Sequence, residues 1–278
     1  MAIVEQTVTV DGVSLHLQIA GSGSPLILLH GLIGSGQSWR QNIEFLAGGA
    51  RVYAVDLFNM GKSERVIGLD ASLQATADRL IMLMDELGLD SADIAAHSHG
   101  GAIAMMLAAR HPDRVRKLIL FAPANPFCRA RYPVIRFFQT RFGLWLGRRV
   151  PKLPRAIHEK ALARMYGDPS KVTEGTLETY TEGLDIPGTM DHVLEILGSW
   201  FEDMRQLKVE LSRLAQKPAL LIWGDLDRAV NLASGQSLSS VLTRSELLVL
   251  PGAGHLPFEE MPEVCNLAMR EWLAAPAH

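Results

Sequence analysis

Six short apolar runs, PLILLH, RVYAVD, ADIAAH, VRKLILFA, PALLIWG and SELLVLP, punctuate the chain, each bounded by Gly, Pro or Asp. Apolar side chains at successive rather than alternate positions suit strands buried on both faces. Between most of the runs lie helical stretches. Leu73 to Leu87 has apolar residues at helical offsets behind a cap at Ser72, and Gly100 to Arg110 is rich in Ala and Met before His111-Pro112 ends it. Strand, helix and strand in this rhythm require crossover connections, so the expected class is α/β, with a mostly parallel sheet flanked by helices. The opening VTVDGVSLHLQIA differs: alternation on either side of Asp11-Gly12 predicts a hairpin.

The rhythm fails between Asn125 and about Gln206, where helical segments broken by Pro and Gly replace the strands. We therefore expect a core of residues 1–124 and 207–278, its strands resuming near Lys217, and a helical cap insertion over 125–206. One large domain accommodates 278 residues. A hydrophobic content of 48%, 21% charged residues and a net charge of -3 give no whole-chain reason to expect nucleic-acid binding. The start MAIVEQTVTVDG lacks a basic segment followed by a long apolar stretch, and no later segment has the length of a membrane span. A soluble, unprocessed, cytoplasmic protein is expected. Cys128 and Cys265, far apart and without CxxC spacing, read as reduced structural thiols.

Ser98 stands where ADIAAH turns into GGAIAMMLAAR, between two histidines and before two glycines. A serine at such a strand-to-helix turn is held in a sharp conformation that lifts its hydroxyl above the sheet, provided its neighbours are small. Ala96 and Gly100 meet that need, with one methyl group of departure from G-x-S-x-G. Downstream, Gly224-Asp225-Leu226-Asp227 follows PALLIWG, and Gly252-Ala253-Gly254-His255 follows SELLVLP. Both lie at strand ends, where ligands collect in open α/β sheets. No acid follows VRKLILFA, which runs into Ala122, Pro123, Ala124 and Asn125.

Through LLHGLIGSGQSW, AHSHGG, IWGDLDRAV and PGAGHLPFEEMPE the chain resembles the α/β-hydrolase family over residues 1 to about 124 and about 207 to 278. The resemblance implies Ser98 as nucleophile, His255 as base and Asp227 as orienting acid; Asp225 is the rival acid, and the family pattern favours Asp227. The chemistry of the residue types agrees. A neutral imidazole takes the serine proton and returns it to the leaving group, while a buried carboxylate fixes the tautomer. His30-Gly31-Leu32 resembles the family's oxyanion loop, implying the backbone N–H groups of Leu32 and His99 as oxyanion donors. No metal or organic cofactor is required by these parts. The expected partner is a small-molecule ester-like substrate: a small or medium carboxylic ester or thioester cleaved through an acyl-enzyme. Carbon–carbon bond hydrolases and cofactor-free perhydrolases share the triad and stay open as alternatives. A serine at position 98 argues against epoxide hydrolases and haloalkane dehalogenases, whose pattern implies a carboxylate there. A ligand-binding signalling protein with a silent site is the alternative from another class. Oligomeric state is not legible.

Other residues have plainer readings. His30 and His97 are expected to be hydrogen-bonded structural histidines, and the H-x-H pair around Ser98 has no carboxylate cluster to make a metal site. Gly61-Lys62-Ser63 lacks the glycine that a phosphate loop needs where Asp56 stands, so it reads as a turn; GLIGSG lacks the rest of a dinucleotide fingerprint. Trp39, Trp223 and most methionines read as core. From Arg114 through His158 there is no Asp or Glu, while Arg129, Arg131, Arg136, Arg141, Arg148, Arg149, Lys152 and Arg155 crowd the first part of the insertion. Val134, Ile135, Phe138, Phe142, Trp145 and Leu146 form a stripe expected to cover the site. Charge pairing with the acidic second part is the preferred reading of the basic series, ahead of anion binding, a membrane-surface role or guidance of an acidic or amphiphilic ester.

Overall fold

The structure, a computed structural model, describes residues 2–130 and 132–276. Eight strands form one sheet: β1 (Val4–Val10), β2 (Val13–Ala20), β3 (Pro25–Leu29), β4 (Arg51–Val55), β5 (Ala92–His97), β6 (Val115–Phe121), β7 (Ala219–Gly224) and β8 (Ser245–Leu250). Their spatial order is β1-β2-β4-β3-β5-β6-β7-β8. The hairpin of β1 and β2 closes over Asp11 and Gly12, whose φ values of 51° and 75° give the two-residue turn that matches strand twist. β2 runs antiparallel to β1 and β4, and every other pairing is parallel. All six apolar runs are strands, and β5 and β7 are buried along their whole length.

Burial on both faces follows from the helices. In chain order these are α1 (Ile43–Leu46), α2 (Leu73–Glu86), α3 (Ser98–Arg110), α4 (Tyr132–Phe138), α5 (Arg141–Gly147), α6 (Arg155–Ala163), α7 (Thr176–Thr181), α8 (Thr189–Glu210), α9 (Leu232–Val241), α10 (Pro257–Glu260) and α11 (Pro262–Ala274). Ile27 and Ile94 belong to one core with Leu80 and Leu83 of α2 and Met105 of α3. Leu26 and Leu28 face the other way, into a core with Ile43 of α1 and Met269 of α11. Ser72 caps α2 as expected, its hydroxyl accepting the Ala75 N–H at 3.3 Å. α3 begins at Ser98, two residues before the expected start.

Between β6 and β7 the described residues form helices and turns with no strand. The boundary expected at 206 falls inside α8, a continuous helix from Thr189 to Glu210 whose Met204 and Leu207 join the core. Trp39 and Trp223 are fully buried, Trp39 stacking on Phe258 at 4.4 Å between ring centroids. Among the described residues no helix is long and apolar enough to cross a membrane.

Candidate active site

β5 delivers the chain to Ser98 in extended conformation, and Ser98 itself has φ 52°, in the left-handed region. Such a residue carries strain of about 1–3 kcal/mol, sustained only by surrounding packing. The glycines after it permit that packing. A Cβ at Gly100 would run into the His30 carbonyl oxygen, and one at Gly101 into Pro123, so the start of α3 nests against the ends of neighbouring strands.

Three distant side chains meet at this rim. Ser98 Oγ lies 3.0 Å from His255 Nε2, and His255 Nδ1 lies 2.7 Å from Asp227 Oδ2. The other Asp227 oxygen accepts the N–H groups of Ala229 and Val230 at 2.7 and 2.9 Å, which fixes the carboxyl. Asp225 points elsewhere: it accepts the Gly252 N–H at 2.7 Å. With a carboxylate as acceptor, His255 Nδ1 donates, leaving Nε2 free to accept from the Ser98 hydroxyl.

The segment carrying His255 is held from three sides. His97 Nε2 donates to the His255 carbonyl at 2.9 Å, and the His255 N–H donates to the Met165 carbonyl at 2.6 Å. Glu260, buried behind the loop, accepts from Gly254 N–H at 2.6 Å and from Gly167 N–H at 2.9 Å. Burial pushes the Glu260 carboxyl above its usual range, and these amides oppose the shift. Glu259 is likewise buried, accepting from Arg40 at 2.9 Å, Tyr166 at 3.1 Å and the Tyr180 hydroxyl. Both acids lie in the HLPFEEMPE stretch, where sequence reasoning assigned them no role and the sequence carries no signal that they are buried.

His30 secures the loop at Leu32. Its Nε2 accepts the Leu57 N–H at 2.9 Å, which puts the proton on Nδ1, and Nδ1 donates to the Gly31 carbonyl at 2.7 Å. Burial lowers its pKa and favours this neutral form. Ile33, next in the loop, has φ 65°, an uncommon conformation for a β-branched residue. Leu32 and His99 both line the cavity above Ser98. His99 sits in the first turn of α3, where a backbone N–H has no acceptor within the helix. Its imidazole is buried with Nδ1 unpartnered, and burial, with His192 nearby, pushes its pKa down to about 3.

The cavity holds about 500 Å³ and is walled by apolar side chains, among them Leu32, Ile135, Phe138, Val193, Leu194 and Leu256. Among the described residues no Lys, Arg, Asp or Glu lines it. Cys128, expected to be merely structural, is part of the wall. The expected six-residue stripe divides. Val134, Ile135 and Phe138 line the cavity, whereas Phe142 and Trp145 face solvent, because Thr140 caps a new helix by accepting the Gly143 N–H at 3.0 Å and so reorients the residues after it. Charge pairing in the insertion reaches Arg148 with Asp191 and Arg155 with Glu159 and Glu178. Arg131, also in the basic series, lies outside the described residues. Gly61-Lys62-Ser63 forms a turn around Asp56, which accepts the Lys62 N–H at 2.7 Å. Among the described residues no three His, Cys, Asp or Glu side chains converge as metal ligands.

The chain is 29% identical over 251 residues to the dihydrolipoyllysine-residue acetyltransferase component of an acetoin cleaving system from Pseudomonas putida, covering 90% of this chain and 64% of that longer protein. It is 25% identical over 252 residues to 2-hydroxymuconate semialdehyde hydrolase of Pseudomonas sp. strain CF600, covering 88% and 84% of the two chains. The fold of the epoxide hydrolase CorEH superposes with a TM-score of 0.84 at 21% identity, covering 98% and 99%. A family model for the alpha/beta hydrolase fold matches residues 24–262. Because that match runs from β3, whose loop carries Leu32, past the turn after His255, and takes in the whole parallel part of the sheet, the chain belongs to the alpha/beta hydrolase fold family and is a hydrolase.

Proposed function

We propose that this hydrolase cleaves a neutral carboxylic ester or thioester of small or medium acyl chain, with Ser98, His255 and Asp227 as its catalytic triad. The observation that carries the reading is the continuous contact from Ser98 Oγ through His255 to Asp227 beneath a mostly apolar cavity that no Lys, Arg, Asp or Glu among the described residues lines. Ser98 Oγ attacks the carbonyl carbon as its proton passes to His255 Nε2, and the oxyanion takes hydrogen bonds from the Leu32 and His99 N–H groups. Collapse of the intermediate breaks the bond to the leaving group, which takes that proton and departs as alcohol or thiol. Water then adds to the acyl-Ser98, giving its proton to His255 Nε2; the acid leaves and the proton returns to Ser98.

In this reading residues 125–206 act as a helical cap, supplying Ile135, Phe138, Val193 and Leu194 to the acyl site. No organic cofactor or metal takes part, and no nucleic acid is a partner. Two free thiols, Cys128 and Cys265, support a reducing, cytoplasmic setting.

A second reading is carbon–carbon bond hydrolysis on the same triad, favoured by the similarity to 2-hydroxymuconate semialdehyde hydrolase. That relative's named substrate is a carboxylate, and among the described residues no Lys or Arg lines the cavity to compensate a carboxylate, whose unpaired burial is costly. The neutral ester fits better. A series of p-nitrophenyl esters of increasing acyl length, run beside a thioester and a vinylogous diketone acid, tests the choice. The proposal expects turnover of the esters with an optimum set by chain length and none of the diketone acid. Turnover of the diketone acid above every ester would reverse it.

A further inference from the structure

α4 and α5 send apolar side chains in two opposite directions. Ile135 and Phe138 turn into the cavity, while Phe137, Phe142 and Trp145 leave 37%, 62% and 49% of their surface exposed. These three rings form one cluster: Phe142 lies 6.1 Å from Phe137 and stacks on Trp145 at 5.7 Å between centroids. The Arg149 guanidinium sits 4.3 Å above the Trp145 ring. Arg136, Arg141 and Lys152 are exposed on the same short segment, in a stretch where the sequence has no carboxylate from Arg114 through His158. Exposed aromatic rings interleaved with cations, on a segment with no acid of its own and with Arg148 beside them paired to Asp191 of α8, make an amphipathic and mainly cationic surface.

We propose that α4 and α5 form a docking surface for an anionic phospholipid bilayer. Phe142 and Trp145 enter the boundary between headgroups and acyl chains, and Arg141, Arg149 and Lys152 rest on the phosphates. Charge complementarity selects this occupant: a bilayer offers diffuse negative charge together with hydrocarbon depth, matching rings and guanidiniums on one face. Continuity with the cavity adds a second argument. Val134 is 46% exposed beside this patch and also lines the cavity, so the docked face adjoins the acyl site. A lipid-borne ester then reaches Ser98 from the membrane side. The docking surface stands whether or not Ser98 is the nucleophile, because Phe142, Trp145, Arg141 and Arg149 do not line the cavity.

The test is co-sedimentation of the full chain with vesicles of phosphatidylcholine alone or mixed with phosphatidylglycerol, with sedimentation velocity run on the protein alone. The proposal expects binding to the phosphatidylglycerol vesicles that weakens with added salt. It also expects a blue shift of tryptophan emission on binding that Trp145→Ser abolishes. Arg141→Glu with Arg149→Glu is expected to weaken binding at least about twentyfold, since each cation near an anionic surface is worth roughly fivefold, and separately Phe142→Ser with Trp145→Ser is expected to weaken it at least about tenfold through loss of the buried rings. Turnover of a soluble short-chain ester stays unchanged in both pairs, which also shows that they fold. Absence of binding by the parent chain, or equal binding by the variants, overturns the proposal. So does a parent that is dimeric without lipid and becomes monomeric through Phe142→Ser with Trp145→Ser, which would assign the face to a second copy of the chain.

Discussion

Ser98 presents its hydroxyl through a backbone conformation that serine avoids, and the cost of that conformation is measurable. With φ at 52°, a residue that carries a Cβ is strained at this position and glycine is not. Ser98→Gly is therefore expected to be more stable than Ser98→Ala by about 1 kcal/mol, read from urea midpoints, both variants being inactive. The neighbouring His99 makes a separate prediction. Its pKa falls from 6.5 in the unfolded chain to about 3 in the fold, chiefly by burial. The folded state thus resists the proton that the unfolded state takes. The associated stability is intact above pH 6.5 and is lost as pH falls toward the folded value. Replacing His99 by Phe removes the titration. Between pH 7 and pH 4 the parent should lose on the order of 3 kcal/mol relative to His99→Phe, measured by paired urea titrations.

At the scale of elements, the loop bearing His255 depends on Glu260, which ties Gly254 to Gly167 across two segments. Glu260→Gln turns an amide donor toward N–H donors, and an unsatisfied buried group costs about 1–3 kcal/mol. If His255 is the base, as proposed, the variant should lower kcat more than it changes KM, because it loosens that histidine and leaves the cavity wall intact; steady-state kinetics and a urea midpoint together check this. Little of that support is legible in the sequence, since a buried Glu looks like any surface Glu until the loop that covers it is known. The strands are different. Their apolar runs are short and bounded by Gly, Pro or Asp, so the six runs from PLILLH to SELLVLP read as strands without tertiary information. The stripe from Val134 to Leu146 misleads for a physical reason: helical offsets share a face only along one unbroken helix, and Thr140 starts a new one. The expected boundary at 206 meets the same limit, because α8 carries no Gly or Pro there to mark the end of packing on the insertion.

Taken as a whole molecule, the parallel sheet and the chain order Ser, Asp, His are readable, because strand ends on one rim of such a sheet bring distant loops together. The cavity is not, since its wall is assembled from helices α3, α4, α6, α7 and α8, whose faces are set only by tertiary packing. Its shape has a consequence for the two thiols. Cys128 lines the cavity, whereas burial pushes the Cys265 thiol up to about 12. A small maleimide should label the native protein once, at Cys128, and slow ester turnover, with a bound ester analogue protecting both; peptide mapping and residual rate are the readouts. The central claim is that acyl transfer passes through Ser98. Intact-mass analysis of enzyme quenched during turnover of a p-nitrophenyl ester tests it most directly. The predicted result is a gain of one acyl group on the Ser98 peptide, absent from Ser98→Ala, whose turnover falls by about 10³-fold or more. A Ser98→Ala variant that hydrolyses the ester as fast as the parent, with no acyl adduct on either protein, would contradict it.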